Sequence, residues 1–251
     1  MNFPNRIIKA GETDTRIVKA IQQRLVELGI GNLEGTGIFG PKTTSAVKQF
    51  QSTHRDKEGN LLLADGKVGS VTWEVLFGED SVPVSEDPPN ALLNEVLKVA
   101  AGQVGVMEDP PGSNMGEMVN KYLASVDCDP GNFWCAAFVY WCFNEAAKNL
   151  SRRNPLFKTA GCLDHWNNTT ARKILAADAL NKPSLVKPGA IFIIDHGGGH
   201  GHTGIVEKLA GGFLQTVEGN SNPSGSSNGI GVFRLTNRKI NSINKGFIAY
   251  S

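Results

Sequence analysis

Apolar positions recur every three or four residues in the first third of the chain and give way to short β-branched runs in the last quarter. Ile17, Ile21, Leu25 and Leu28 mark one face of a first helix, and Gly29 is a fitting stop. Ala46, Val47 and Phe50 mark a second helix, and Val71, Val75 and Leu76 a third, with Pro41 and Ser70 placed as helix starts. The glycine-containing stretches around Gly37-Ile38-Phe39-Gly40-Pro41 and Asp65-Gly66-Lys67-Val68-Gly69 echo each other, which predicts two related half-repeats. Residues 1–80 therefore read as a small all-α domain of three helices.

Residues 81–90 are rich in proline, acid and serine and read as a short, stiff, solvated linker. Beyond them, helical spacing covers about 91–104, 115–125 and 133–149. Strand patterns follow at about 190–195, 202–209, 212–218, 230–234 and 246–250. Helices first and strands later, joined by short glycine-containing connections at 197–201 and 210–212, predict an α+β domain with an antiparallel sheet over 91–251. Residues 151–187 form a longer insert between helix and sheet, of the kind that shapes a cleft.

Candidate chemistry centres on Cys135. Phe138, Val139, Cys142 and Ala146 give its helix a buried face, and Asn132 is placed to cap it, which puts Cys135 in the first turn. The helix dipole and the unpaired N–H groups there favour thiolate over thiol. A lone cysteine is more often a small buried hydrophobe, so partners decide. His202 opens an apolar strand and is anchored by it, whereas His196 and His200 sit among glycines that hold a side chain poorly. His165 lies apart, on a helix or loop. Glu218 and Asn220 are two apart on the next strand and share a face while the strand persists. Cys135, His202 and Glu218 or Asn220 thus supply nucleophile, base and orienter in the order of papain-like hydrolases. A carboxylate both fixes the imidazole tautomer and stabilises its charged form, which favours Glu218 as orienter and leaves Asn220 as a positioning amide. Cys128 and Cys162 could pair in an oxidising compartment, but free thiols are expected. The clustered histidines lack a close cysteine pair, so neither a metal nor a cofactor is expected.

Composition narrows the partners. With 25 Lys and Arg against 24 Asp and Glu, the net charge of +1 and the lack of a basic run speak against nucleic acid. No apolar stretch reaches membrane-spanning length, and residues 1–6 begin no secretory h-region. We expect a monomer made in the cytoplasm without a Sec signal. An immunity or inhibitor partner is not readable.

Residues 90–251 resemble the CHAP family of cysteine, histidine-dependent amidohydrolases and peptidases. The resemblance rests on Trp134-Cys135-Ala136-Ala137-Phe138, on Pro188-Gly189-Ala190-Ile191, on Gly201-His202-Thr203-Gly204-Ile205-Val206 and on Glu218-Gly219-Asn220. Thr203 stands where valine is common and Ala190 where aspartate is frequent. The resemblance implies a papain-like fold, with Cys135 as nucleophile, His202 as base, and Glu218 and Asn220 as polar partners. Residues 13–78 are similar to three-helix peptidoglycan-binding domains, which implies peptidoglycan as partner. Together they imply a cysteine peptidoglycan amidase or endopeptidase, an endolysin or a secreted antibacterial effector, acting at the cell wall or periplasm after export, injection or lysis. The alternatives are a non-catalytic wall-binding protein and an intracellular thiol protease on the same fold.

Overall fold

The computed structural model describes residues 1–85, 87–226 and 228–251, and its chain divides into two compact units. One comprises Met1–Val84 with Leu180–Pro183, the other Ser85–Ala179 with Ser184–Ser251.

In the first unit α1 spans Thr15–Glu27, α2 Pro41–Thr53 and α3 Ser70–Phe77. Asp14 caps α1 by accepting from the N–H groups of Arg16 and Ile17, and Pro41 begins α2, where a missing N–H costs nothing. Ile21, Leu25, Val47, Phe50, Trp73 and Leu76 are fully buried between the helices. The half-repeats have a structural counterpart. Gln22 Oε1 accepts from Gly37 N at 2.9 Å while its Nε2 donates to Ile38 O at 3.1 Å and Thr43 Oγ1 at 2.9 Å. Gln51 does the same at one constant spacing: Oε1 accepts from Gly66 N at 2.9 Å, and Nε2 donates to Lys67 O at 2.8 Å and Thr72 Oγ1 at 3.3 Å. Each buried glutamine ties a helix to the loop that follows it, satisfying both ends of its amide.

The predicted linker is shorter than its composition suggested. Ser81 and Val82 are buried with the helical core, and Phe3 N donates to Ser81 O at 2.6 Å. Apolar Val82 gains more from burial than from a solvated strap. Glu86, within the predicted linker, lies outside the described residues. The two-residue strand β1 is Val84–Ser85, and α4 starts at Ala91 with the Asn90 side chain accepting from Leu93 N.

In the second unit α4 (Ala91–Ala101), α5 (Glu117–Ala124) and α6 (Cys135–Asn149) precede α7 (Cys162–Asn168), β2 (Arg172–Leu175) and the start of α8 (Ala176–Asn181), whose last two residues are counted with the first unit. Strands β3 (Ile191–Gly197), β4 (His200–Ala210), β5 (Phe213–Ser221), β6 (Gly231–Lys239) and β7 (Gly246–Ala249) follow. The sheet runs β2-β7-β3-β4-β5-β6, antiparallel throughout this path, with β1 off it. Gly198 and Gly199, both at positive φ (+60° and +83°), make the two-residue turn joining β3 to β4. Strand β2 was not foreseen; only Ile174 of its four residues is buried, so it carries no alternation. Strand β6 also runs five residues beyond the predicted end at 234, to Lys239. Helix α6 packs against α4, α5, β4 and β5, burying Phe138, Val139, Cys142 and Ala146.

Candidate active site

Cys135 is the first residue of α6 and 5% exposed. The cap residue is Trp134 and not Asn132, whose side-chain amide instead donates to Asp129 O at 3.0 Å within the preceding turn. Cys162 opens α7, which packs against α6, β3 and β4. This makes its thiol the neighbour with the largest effect on that of Cys135. The Cys162 sulfur also occupies the space beside Gly201, where a Cβ would meet it at 2.8 Å. The backbone N–H of Thr203 reaches the Cys135 sulfur, so the thiol lies beside the residue that follows His202.

The thiol pair corrects the expectation that the helix terminus alone makes Cys135 a thiolate. Giving its hydrogen to Cys162, together with burial, pushes the Cys135 thiol well up, against the N–H groups of Thr203 and Ala136. Accepting from Cys135 holds the Cys162 thiol below its ordinary value, against the opposing effect of burial.

His202 is 1% exposed on β4, and its Nε2 lies 2.8 Å from Glu218 Oε2 on β5. The sheet register explains why they meet. Ile205 pairs with Val217, so Glu218 lies across from Gly204, two residues along from His202 on the same face. A Cβ at Gly204 would come within 2.8 Å of Glu218 Cγ; its absence gives the carboxylate room. Thr216, two residues earlier on β5, donates to Glu218 Oε1 at 2.6 Å. Arg238 grips the carboxylate from β6, Nε to Oε1 and Nη2 to Oε2, both at 2.6 Å, with its guanidinium 5.0 Å from the Phe192 ring. Burial alone would raise the Glu218 carboxyl, but the hydrogen bonds and charges of His202 and Arg238 hold it down at about 2. With Nε2 tied to Glu218, the Nδ1 of His202 is buried and has no hydrogen-bond partner among the described residues.

Asn220 is fully buried but does not stay on the face of Glu218. The β5–β6 pairing shifts register between Glu218 and Ser221, and Asn220 adopts φ +54°, which breaks the two-residue alternation. Its Nδ2 donates to Asn114 Oδ1 at 2.6 Å. Asn114 belongs to a loop fixed at both ends: Glu108 N donates to Ile230 O at 2.8 Å, and Gly131 N to Asn114 O at 3.0 Å. Buried Glu108 accepts from Trp134 Nε1 at 2.9 Å, so the same loop braces the residue preceding Cys135.

The structure thus joins His202 to Glu218, places Cys135 against Cys162 and Thr203, and joins Asn220 to Asn114. Sequence reasoning missed Arg238, which lies past the predicted end of β6. It also missed Asn114, which no periodicity marks, and Thr216, which same-face spacing from Glu218 could have flagged. It had weighed Cys162 as a partner only for Cys128. His196 and His200 are exposed, with Phe133 edge-on to His200 at 6.4 Å. His165 is buried and bonded to Tyr250 Oη at 2.7 Å; burial lowers it to about 4, so it is a neutral structural group. All four cysteines are free, and the described residues contain no group of three or more His, Cys, Asp or Glu that could hold a metal.

The order of elements, a cysteine opening a helix against an antiparallel sheet whose neighbouring strands carry a buried histidine and carboxylate, defines an α+β domain of thiol-hydrolase type. Residues 127–220 match the family model of the CHAP domain, and residues 16–76 match that of the putative peptidoglycan binding domain. The chain therefore joins an N-terminal peptidoglycan-binding domain to a CHAP domain. This combination supports a cell-wall-related role and a cysteine, histidine-dependent amidohydrolase or peptidase activity. No curated protein and no solved structure matches the chain.

Proposed function

We propose that the protein hydrolyses amide bonds of peptidoglycan, within the stem peptide or at the muramoyl–alanine link, through an acyl-enzyme on Cys135. The observation that carries this reading is the His202–Glu218 pair: one imidazole nitrogen is engaged by a carboxylate and the other is unpartnered, on the strand whose backbone touches the Cys135 sulfur. His202 Nδ1 takes the thiol proton, and the imidazolium so formed faces Glu218, which is already ionised. The thiolate attacks the carbonyl carbon. His202 returns the proton to the leaving amine, and a water activated by the same nitrogen releases the acyl group. Glu218 fixes the tautomer, Arg238 and Thr216 fix Glu218, and Asn220 braces the loop at Asn114. Phe133, 51% exposed beside the catalytic helix start, offers an apolar contact to substrate.

We assign residues 1–84 the task of raising local substrate concentration and the rest of the chain the chemistry. The division follows the two compact units, and the surface of the first carries a depression of about 220 Å³ lined by Leu33, Thr36, Ile38 and Pro41. Such an enzyme serves as an endolysin or as a secreted antibacterial effector. Mass spectrometry of fragments from purified sacculi and defined muropeptides tests the reading. New N-terminal amines on stem-peptide residues, or free muramoyl carboxylates, are the expected products, and they also separate endopeptidase from amidase. Intact sacculi and muropeptides after prolonged incubation would refute it.

A further inference from the structure

We propose that Glu108 is a positioning residue of the reaction: through the indole of Trp134, its carboxyl group sets where the first turn of α6 holds Cys135 against the sheet. The proposal rests on the reading of Cys135 as nucleophile and concerns its placement, not its chemistry.

Helix α6 begins without the device that usually fixes a helix start. Trp134 is its cap residue and gives the first-turn N–H groups no side-chain acceptor. The ring of Trp134 anchors the helix start instead. It is fully buried, stacks on Tyr122 at 5.6 Å and stands edge-on to Phe138 at 6.5 Å. It also lies over Gly219, where a Cβ would come within 2.7 Å of it and 2.6 Å of Phe138. Gly219 separates Glu218 from Asn220 on β5, so the indole approaches the sheet between the two polar site residues. Apolar packing has no preferred direction, whereas a hydrogen bond does. The single polar group of the indole, Nε1–H, donates to Glu108 Oε1 at 2.9 Å.

Glu108 is in turn fixed to β6. Val232 N donates to Val106 O and Glu108 N to Ile230 O, both at 2.8 Å, and Met107 pairs with Gly231. The backbone at 106–108 therefore runs beside the start of the strand that carries Arg238. Trp134 is thus referenced to β6 through Glu108 and to β5 through Gly219, and the next residue is Cys135. Glu108 is 3% exposed and its Oε2 has no hydrogen-bond partner among the described residues, an arrangement that costs stability. Placement of the nucleophile is what this cost secures, because a misplacement of about 1 Å at reacting atoms lowers a rate by on the order of 100-fold.

The test measures kcat and KM on defined muropeptides, and the melting temperature, for the full chain carrying Glu108→Leu, Glu108→Gln, Trp134→Phe, or Glu108→Leu with Trp134→Phe. Glu108→Leu and Trp134→Phe should each lower kcat by about 10- to 100-fold and leave KM within about two-fold of wild type. Glu108→Gln still accepts from the indole and should recover most of that loss. The paired substitution should be no slower than the slower of its members, because both remove the same bond. Trp134→Phe keeps an aromatic ring in place and carries the test if Glu108→Leu folds poorly. A lowered melting temperature with wild-type kcat in Glu108→Leu or Trp134→Phe would make the bond merely structural and overturn the proposal. So would a Glu108→Gln chain as slow as Glu108→Leu, or losses that multiply in the paired variant. Cys135→Ala, measured alongside, separates the two claims. An active Cys135→Ala chain would overturn the nucleophile reading and this proposal with it; an inactive one beside a fully active Glu108→Leu chain would overturn the positioning role alone.

Discussion

Two sets of buried polar side chains, one in each unit, are treated in opposite ways. In the helical unit, Gln22 and Gln51 each engage both ends of the amide, and the second repeats the contacts of the first. In the CHAP unit, His202, Asn220 and Glu108 are equally buried, yet each keeps one polar atom without a protein partner: Nδ1, Oδ1 and Oε2. A satisfied buried amide stabilises a fold and does nothing else. A buried group left half-satisfied costs stability and is kept where chemistry or a ligand uses the remaining atom. The contrast belongs to these residues and not to the units as wholes, since Trp73 Nε1 and Glu74 Oε2 of the helical unit are also buried without a hydrogen-bond partner.

If that division is right, substitutions in the two sets should have different readouts. Among the partners of Cys135, the largest effect is expected from His202→Ala. It should lower kcat/KM on muropeptides by ~10³-fold or more with an unchanged circular dichroism spectrum. An active His202→Ala protein would remove the histidine from the mechanism.

Glu218→Gln should lower turnover less, by about 10- to 100-fold, and narrow the pH range of activity from the alkaline side, because the imidazolium loses its carboxylate. It should also change acid stability in a defined window. The folded carboxyl titrates at about 2, below its ordinary 4.5, so its contribution is complete above pH 4.5 and is lost as pH falls towards 2. The full contribution is about 3 kcal/mol. Denaturant melts between pH 5 and 2 should show a steeper slope in the wild type than in the variant. Equal slopes would mean that Glu218 is not held ionised by His202 and Arg238.

Gln22→Leu and Gln51→Leu should each destabilise the helical unit by about 1–3 kcal/mol, because loop N–H and carbonyl groups lose their partner. The two should agree with each other, and neither should alter hydrolysis of soluble muropeptides. A fall in muropeptide turnover would make the helical unit part of the catalytic machinery. The smallest effect is expected from Asn220→Ala, a several-fold loss of turnover with the pH profile unmoved, since its amide holds Asn114 and not the imidazole.

The sequence disclosed the helical unit almost entirely, because its three amphipathic stripes and its punctuating Pro41, Ser70 and Gly29 are local signals. The same holds for Cys135 at a helix start and for His202 on an apolar strand. Other features depend on strand register and on helix packing, which no local pattern records. The pairing of Cys162 with Cys135 requires two helix starts, far apart in sequence, to converge at Gly201. Arg238 reaches Glu218 only because β6 continues past its apolar portion into polar residues. Asn220 left the expected face because a register shift after Glu218 turned it towards a loop that carries no periodicity at all.

The account stands on Cys135 as the atom that takes the acyl group. The direct measurement compares wild type with Cys135→Ala, both reduced and both shown to be folded, on defined muropeptides with fragments read by mass spectrometry. The account predicts complete release of products by the wild type and a loss of at least ~10⁴-fold in the variant. Hydrolysis by Cys135→Ala at a rate within ten-fold of the wild type would contradict it.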